Sequence, residues 1–115
     1  MPLRRARFLV LAALAGAVVP AIARAGDDAL VFNIRAHDGR FEPSELRVPA
    51  NRPFALHVTS EEETAIEFES FELHRERVVQ PGGTITVLMP ALAPGTYKFF
   101  DDFHHETPEG SIIVQ

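Results

Sequence analysis

The chain has 115 residues, of which 23% are charged and 46% are hydrophobic, and it contains no cysteine. This length allows one small domain and is too short for two. The lack of cysteine excludes disulfides, thiolate nucleophiles, iron–sulfur clusters and copper centres with a thiolate ligand. The domain must therefore be held together by the packing of its core, or with the help of a metal.

The first 25 residues have the pattern of a secretory signal peptide. Three arginines precede an apolar run over residues 8–19, and an A-x-A cleavage pattern ends at Ala25. The run is about a dozen residues long, whereas a membrane-spanning helix needs roughly 20. We therefore expect residues 1–25 to direct export to the periplasm and to be removed. The mature domain, residues 26–115, is not expected to span a membrane.

The mature domain is strongly acidic. Residues 26–115 contain 7 Lys and Arg against 16 Asp and Glu, which gives a formal net charge of −9. Such a surface repels the phosphate backbone of a nucleic acid. We therefore exclude nucleic acid as a partner and expect metal cations, or a basic protein face, instead.

Short segments with alternating polar and apolar residues follow one another at intervals of about ten residues, which is typical of β-strands. In the first segment, Leu30, Phe32 and Ile34 share one face. In chain order the segments cover residues 29–37, 46–48, 53–60, 61–79, 84–90, 93–100 and 110–115.

No segment shows a long helical period, although the acidic start of residues 60–76 is compatible with a single helical turn. About seven or eight short strands without helical crossovers predict an all-β fold. The expected architecture is an antiparallel Greek-key β-sandwich that forms one domain.

Several motifs resemble those of the cupredoxin-like family over residues 30–115. Residues 41–58 read FEPSELRVPANRPFALHV, residues 93–100 read APGTYKFF, and the chain closes on GSIIVQ. The blocks EFESFELHRERVVQPGG and FFDDFHHETPEG are similar, in this order and at this separation, to a Cys-less subgroup that accompanies permease-type ferrous-iron uptake systems in the bacterial periplasm. The resemblance implies a cupredoxin-like Greek-key β-sandwich that works beside an inner-membrane iron permease.

The chain departs from the blue-copper members of that family at the metal ligands. Those members use a Cys, a His and usually a Met from the loop between the last two strands, with an earlier His. After TYKFF, where that Cys would come, this chain has Asp101 and Asp102, and the earlier His is replaced within residues 66–69. A type 1 blue copper site is therefore excluded. Carboxylates with imidazole instead favour Fe(II), Fe(III), Mn(II) or Cu(II), so the expected cofactor is copper, iron or both.

The resemblance places the metal where two loops meet at one end of the sandwich. The histidine position in the loop between the last two strands can be filled by His104 or His105. The side chains of adjacent residues diverge, so only one of the two points into a given site. The similarity to the subgroup favours His104. Asp102 is the better ligand candidate of the two aspartates, and Asp101 is assigned to capping the turn. The candidate metal ligands are Glu67, Glu69, Asp102, His104 and His105.

Glu67 and Glu69 share one face of an extended segment. One of them can bind the metal while the other orients a ligand histidine. Alternatively, the two glutamates form an acidic edge that discourages aggregation, and the two histidines are solvated loop residues.

Three functions are compatible with these residues. The first is a periplasmic iron-handling redox protein that binds Fe(II), oxidises it with copper as the acceptor, and passes it to a membrane permease. The second is a metal chaperone or buffer without redox turnover, and the third is a metal-free acidic domain that docks a basic protein. Loss of Fe(II) under air beyond one equivalent per protein separates the first function from the second.

Overall fold

A computed structural model describes residues 29–115, which form nine strands in two facing sheets. The four-stranded sheet has the order β2-β1-β4-β7, and the five-stranded sheet has the order β3-β9-β8-β5-β6. The predicted all-β sandwich is confirmed. The strands are β1 (Leu30–His37), β2 (Arg40–Glu42), β3 (Glu45–Val48), β4 (Phe54–Ser60), β5 (Ile66–Ser70), β6 (Arg75–Val79), β7 (Thr84–Met89), β8 (Gly95–Asp101) and β9 (Gly110–Val114).

Two strand pairs correct the prediction of a purely antiparallel sandwich. β1 pairs with β4 in parallel, and β3 pairs with β9 in parallel. The chain leaves the first sheet after β2, adds β3 to the second sheet, and returns as β4 beside β1. This exchange between sheets brings β4 alongside β1 in the same direction.

The strand count is also higher than the seven or eight expected. The single segment predicted over residues 61–79 divides into β5 and β6, with a turn between Ser70 and Arg75. The helical turn considered for residues 60–76 does not form, because every second side chain of β5 is needed in the core.

The core lies between the sheets and follows the alternation of the sequence. β4 and β5 bury every second residue, as expected for strands with one face on a core. An aromatic trio of Phe41, Phe68 and Phe99 fills the part of the core next to the end of β8. The ring centroids of Phe41 and Phe99 are 5.0 Å apart, and Phe68 stacks on Phe99 at 5.1 Å.

The predicted signal peptide, residues 1–25, lies outside the described residues. Within residues 29–115, no helix is long and apolar enough to cross a membrane.

Candidate metal centre

Three connections meet at one end of the sandwich. The β1–β2 hairpin turns through Asp38 and Gly39, whose φ angles are 52° and 72°. An Asp-Gly pair suits such a two-residue turn because both positions need positive φ. The backbone N–H of Gly39 donates to Glu62 Oε2 at 2.8 Å, and the N–H of Glu61 donates to the carbonyl of Ala36 at 2.8 Å. The β4–β5 connection is thus fastened to the hairpin.

The third connection follows β8 and pairs two successive aspartates with two successive histidines. Asp101 Oδ2 lies 2.8 Å from His104 Nδ1, and Asp102 Oδ1 lies 3.1 Å from His105 Nε2. Successive residues at the end of a strand point to opposite faces. The Asp101 side chain is accordingly 4% exposed, whereas that of Asp102 is 41% exposed. The two Asp–His pairs therefore lie on different sides of the second sheet.

Asp101 and His104, which we call the inner pair, face a cavity at the end of the sandwich where the loops meet. His104 Nε2 lies 3.2 Å from Thr64 Oγ1, and both residues line a cavity of about 410 Å³. Four glutamates and an aspartate share this lining and give it a strongly negative character: Asp38, Glu61, Glu62, Glu63 and Glu106. The cavity attracts cations.

Asp102 and His105, which we call the outer pair, lie beside a group of carboxylates on β5 and β6. Glu67, Glu69 and Glu76, which we call the acidic triad, each offer an oxygen within 4.8 Å of the other two. Glu69 and Glu76 are directly opposite in the β5–β6 register. Asp102 extends the group, because its carboxyl group contributes to the raised pKa of Glu67 and its N–H donates to the Glu67 carbonyl at 2.9 Å.

Partial burial and crowding of like charges raise the pKa of two members of the acidic triad, Glu67 and Glu69. Partial burial is the largest cause that raises the pKa of Glu67, followed by the negative charge of Glu76 and the nearby Asp102 carboxyl group. Partial burial also raises the pKa of Glu69, again with Glu76 as the next cause. A bound cation would favour the ionised forms and reverse these shifts. None of the causes that shift these two pKa values is a positive charge. Among the described residues that act on Glu67 and Glu69, there is therefore no positive partner.

Removal of one of these charges should stabilise the metal-free domain. Because folding raises the pKa of Glu69, the ionised group opposes folding once the pH exceeds that pKa, and protonation relieves this as the pH falls. Glu69→Gln is therefore expected to raise the midpoint of thermal unfolding at about pH 7. The gain should shrink toward about pH 3, where the carboxyl is protonated in both states. Thermal melts in a chelating buffer over this range measure the difference.

Glu45→Gln provides the matched control for this experiment. Glu45 lies on β3, at the opposite edge of the same sheet, and pairs with Arg47 at 3.5 Å. The substitution Glu45→Gln removes the same charge without relieving the crowding in the acidic triad. No rise in the midpoint of thermal unfolding is therefore expected at neutral pH. If Glu69→Gln instead lowers the midpoint at neutral pH, the crowding in the acidic triad does not oppose folding.

The structure gathers four of the five predicted ligands on one side and places the fifth elsewhere. Glu67, Glu69 and Asp102 lie together on the outer face, and His105 joins them through Asp102. His104 lies on the inner side, with Asp101. Glu76 was not among the predicted ligands, because its proximity to Glu69 depends on the register of β5 and β6.

Asp101 caps the turn as predicted and makes further contacts. Its Oδ1 accepts the N–H of Phe103 at 3.0 Å, which is the capping bond, and also the N–H of Glu67 at 3.0 Å. The second bond joins the β8–β9 connection to the start of β5. The residue is 3% exposed, so this carboxylate is part of the interior.

The chain belongs to the family described as cupredoxin-like domain, whose sequence model matches residues 8–114. It is similar to an uncharacterized protein, RP394, of Rickettsia prowazekii (strain Madrid E), with 37% identity over 91 residues that cover 79% of this chain and 73% of that protein.

Two solved structures show the same fold at low identity. Reduced auracyanin of Roseiflexus castenholzii matches with a TM-score of 0.62 and 16% identity, over 76% of this chain and 98% of that chain. The metal-binding domain of the Cu(I)-exporting P-type ATPase CopA of Streptococcus pneumoniae D39, solved with Cu(I), matches with a TM-score of 0.63 and 14% identity, over 74% of this chain and 84% of that chain. The expected cupredoxin-like fold is thereby confirmed.

Proposed function

We propose that this protein is a periplasmic metal-binding cupredoxin-like protein that assists iron uptake and holds copper or iron through carboxylates and imidazole. The observation that carries this proposal is the acidic triad, whose three carboxylate oxygens lie within 4.8 Å of one another. A thiolate-bound copper does not fit, because the chain has no cysteine. Family membership and the copper-binding domain among its structural relatives support a metal function.

The spacing of the acidic triad is compatible with one small cation. Oxygen ligands at about 2.0–2.2 Å from a metal lie at most about 4.4 Å from one another. Small rotations of the glutamate side chains would reduce the observed separations of up to 4.8 Å to this value. Glu67 and Glu69 are fixed on a strand whose alternate residues are buried, so only their outer atoms need to move.

The ligand chemistry supports oxidation of bound iron. Anionic oxygen ligands stabilise Fe(III) over Fe(II), which lowers the reduction potential of the metal and favours its oxidation. In the proposed reaction, each Fe(II) gives one electron to a Cu(II) acceptor, which becomes Cu(I). Under air, O₂ reoxidises Cu(I) to Cu(II) and is itself reduced to water with protons from the solvent. The Fe(III) that forms is then passed to an inner-membrane permease.

Exposure of the acidic triad favours a second candidate, a chaperone or buffer without redox turnover. Glu76 is exposed, and Glu67 and Glu69 are half-buried, so a partner protein can reach the bound metal. Fe(II) consumption under air distinguishes the two functions. Loss of many equivalents per protein supports oxidation, and loss of at most one equivalent supports the chaperone.

Calorimetric titration of the processed protein, residues 26–115, tests metal binding directly. Cu(II), Fe(II) under argon and Zn(II) are each titrated into the wild type, Glu67→Gln/Glu69→Gln and the control Glu45→Gln. We expect one metal bound more tightly than roughly 100 μM, about 5.5 kcal/mol, and at least a tenfold loss in the double variant. The control should bind like the wild type.

Two outcomes would contradict this assignment. Absence of binding by the wild type removes both metal functions and leaves the acidic docking domain. Binding that survives Glu67→Gln/Glu69→Gln unchanged removes the acidic triad from the site.

A further inference from the structure

Asp101 occupies the boundary between the core and the loop end, where its carboxylate reaches both β5 and His104. We propose that Asp101 is a positioning residue that holds His104 with its proton on Nδ1, so that Nε2 is the ring atom left to bind a metal. The ligand arm of this inference rests on the proposed metal-binding function. It adds an imidazole ligand on the inner side, separate from the acidic triad.

The hydrogen bonds of Asp101 fix the direction of the contact with His104. An ionised carboxylate only accepts hydrogen bonds. Its Oδ1 already receives the N–H groups of Glu67 and Phe103, and its Oδ2 lies 2.8 Å from His104 Nδ1. Nδ1 must therefore donate, and in a neutral imidazole Nε2 then carries the lone pair.

Burial makes this arrangement rigid. The Asp101 side chain is 4% exposed, so its oxygens depend on these protein donors in place of water. Asp101 pairs with Phe68 across β5 and β8, and Phe68 itself is fully buried. A carboxylate that receives the second ring N–H of a ligand histidine orients the ring and increases its basicity.

The exposed part of His104 faces the cavity. Its side chain is 32% exposed, and Nε2 lies 3.2 Å from Thr64 Oγ1 in the cavity lining. A hydroxyl group can donate to the lone pair of Nε2 and can rotate away when a metal takes its place. The neighbouring glutamates of the cavity would lower the cost of bringing a cation to this atom.

Asp101→Asn changes the donor pattern while keeping the shape. The amide oxygen can still accept the two backbone N–H groups, so the amide nitrogen must face His104 Nδ1 and donate to it. Nδ1 then accepts, and the ring proton moves to Nε2. The opposite orientation of the amide would bring its NH₂ group against two backbone donors and is disfavoured.

Long-range ¹H–¹⁵N NMR of the histidine rings in the metal-free protein tests the inference without any metal. The spectra are recorded at a pH above which the ring shifts no longer change, where the imidazole is neutral and its two nitrogens give distinct shifts. We expect the Nδ1–H form of His104 in the wild type and the Nε2–H form in Asp101→Asn. Asp102→Asn, the same change one residue later, should leave the form of His104 unaltered because Asp102 contacts His105.

The same spectra recorded during a Zn(II) titration test the ligand role. In the wild type, Zn(II) should shift the signal of His104 Nε2. In Asp101→Asn, the affinity of this site for Zn(II), measured from the same shift, should fall by about 10- to 100-fold. Calorimetric binding at the acidic triad should persist in Asp101→Asn, which keeps failure of this inference distinct from failure of the proposed function.

Three results would overturn the inference. The first is an Nε2–H form of His104 in the wild type, which is decisive even if Asp101→Asn does not fold. The second is an unchanged form in a folded Asp101→Asn protein. The third is a wild-type His104 that does not respond to Zn(II) while the acidic triad binds it.

Discussion

Gly110→Ala is expected to destabilise the domain by about 2–3 kcal/mol, because the added methyl group overpacks a filled core. A Cβ at Gly110 would lie 2.2 Å from Cζ of the Phe99 ring and 2.5 Å from its Cε1. Phe99 is fully buried, with Phe68 stacked on it at 5.1 Å and Phe41 against it at 5.0 Å, so the ring has little room to retreat. Urea unfolding of wild type and variant measures the difference.

Gly95→Ala is the matched control, since Gly95 begins β8 and Gly110 begins β9 in the same pair of strands. A Cβ at Gly95 would meet Tyr97 at 3.6 Å, an ordinary contact, and should cost little. Phe99→Leu should recover part of the stability lost in Gly110→Ala, because the two sites share one contact and are not additive. Equal stability of Gly110→Ala and wild type would mean that the aromatic trio can rearrange.

This packing also determines how the loop between β8 and β9 is anchored. Phe99 pairs with Gly110 across β8 and β9, and Asp101 ends β8 at the other side of the loop. The loop of residues 102–109 thus begins beside a buried carboxylate and ends beside a buried ring. Its histidines are presented from fixed backbone at both ends, which is a requirement for a preformed metal site.

Alternation predicted which side chains face the core but not which strands are neighbours. Leu30, Phe32 and Ile34 were expected to share one face. Ile34 is fully buried, and Leu30 and Phe32 are partly buried against the same core. The parallel pairing of β1 with β4 depends on the chain changing sheets between them, and a period of two carries no information about that exchange. The prediction of an antiparallel sandwich therefore failed at two pairs, β1 with β4 and β3 with β9.

The candidate site divides along the same line. Glu67 and Glu69 share a face because they are two residues apart on a strand, which the sequence predicted. Glu76 reaches them only through the register of the turn before β6, where His74 adopts a φ of 55°. The separation of His104 from the outer face follows from the turn that brings it back to Asp101, a tertiary contact that local pattern does not encode.

Two arginines of β6 reach across to the other sheet and cover the edge of β7. Nε and Nη2 of Arg75 donate to the carbonyl of Leu88 at 3.3 and 3.0 Å, and Nη1 of Arg77 donates to the carbonyl of Thr86 at 3.1 Å. Unpaired carbonyls on an edge strand are a template for another chain. The guanidinium groups donate hydrogen bonds to these carbonyls, so the carbonyls are not free to pair with another chain.

Arg75→Ala/Arg77→Ala is expected to make the domain self-associate more strongly than the wild type and to lower its stability by about 1–2 kcal/mol. The stability cost is that of charge-assisted hydrogen bonds at a partly solvated surface. The association follows because β7 then presents free carbonyls beside Leu88, whose side chain is 71% exposed. Sedimentation velocity over a range of about 5–200 μM, together with urea unfolding, measures both effects at concentrations typical of weak dimers.

Net charge makes this a demanding test. The two substitutions take the mature domain from a formal charge of −9 to −11, and this increase in mutual repulsion opposes association. Arg40→Ala/Arg47→Ala causes the same loss of charge, but these side chains contact Glu42, Glu45 and Gln115 instead of edge carbonyls. Self-association of the first variant alone would therefore assign the effect to the uncovered β7 edge. If neither variant self-associates more strongly than the wild type, the arginines contribute stability but do not keep the edge from pairing.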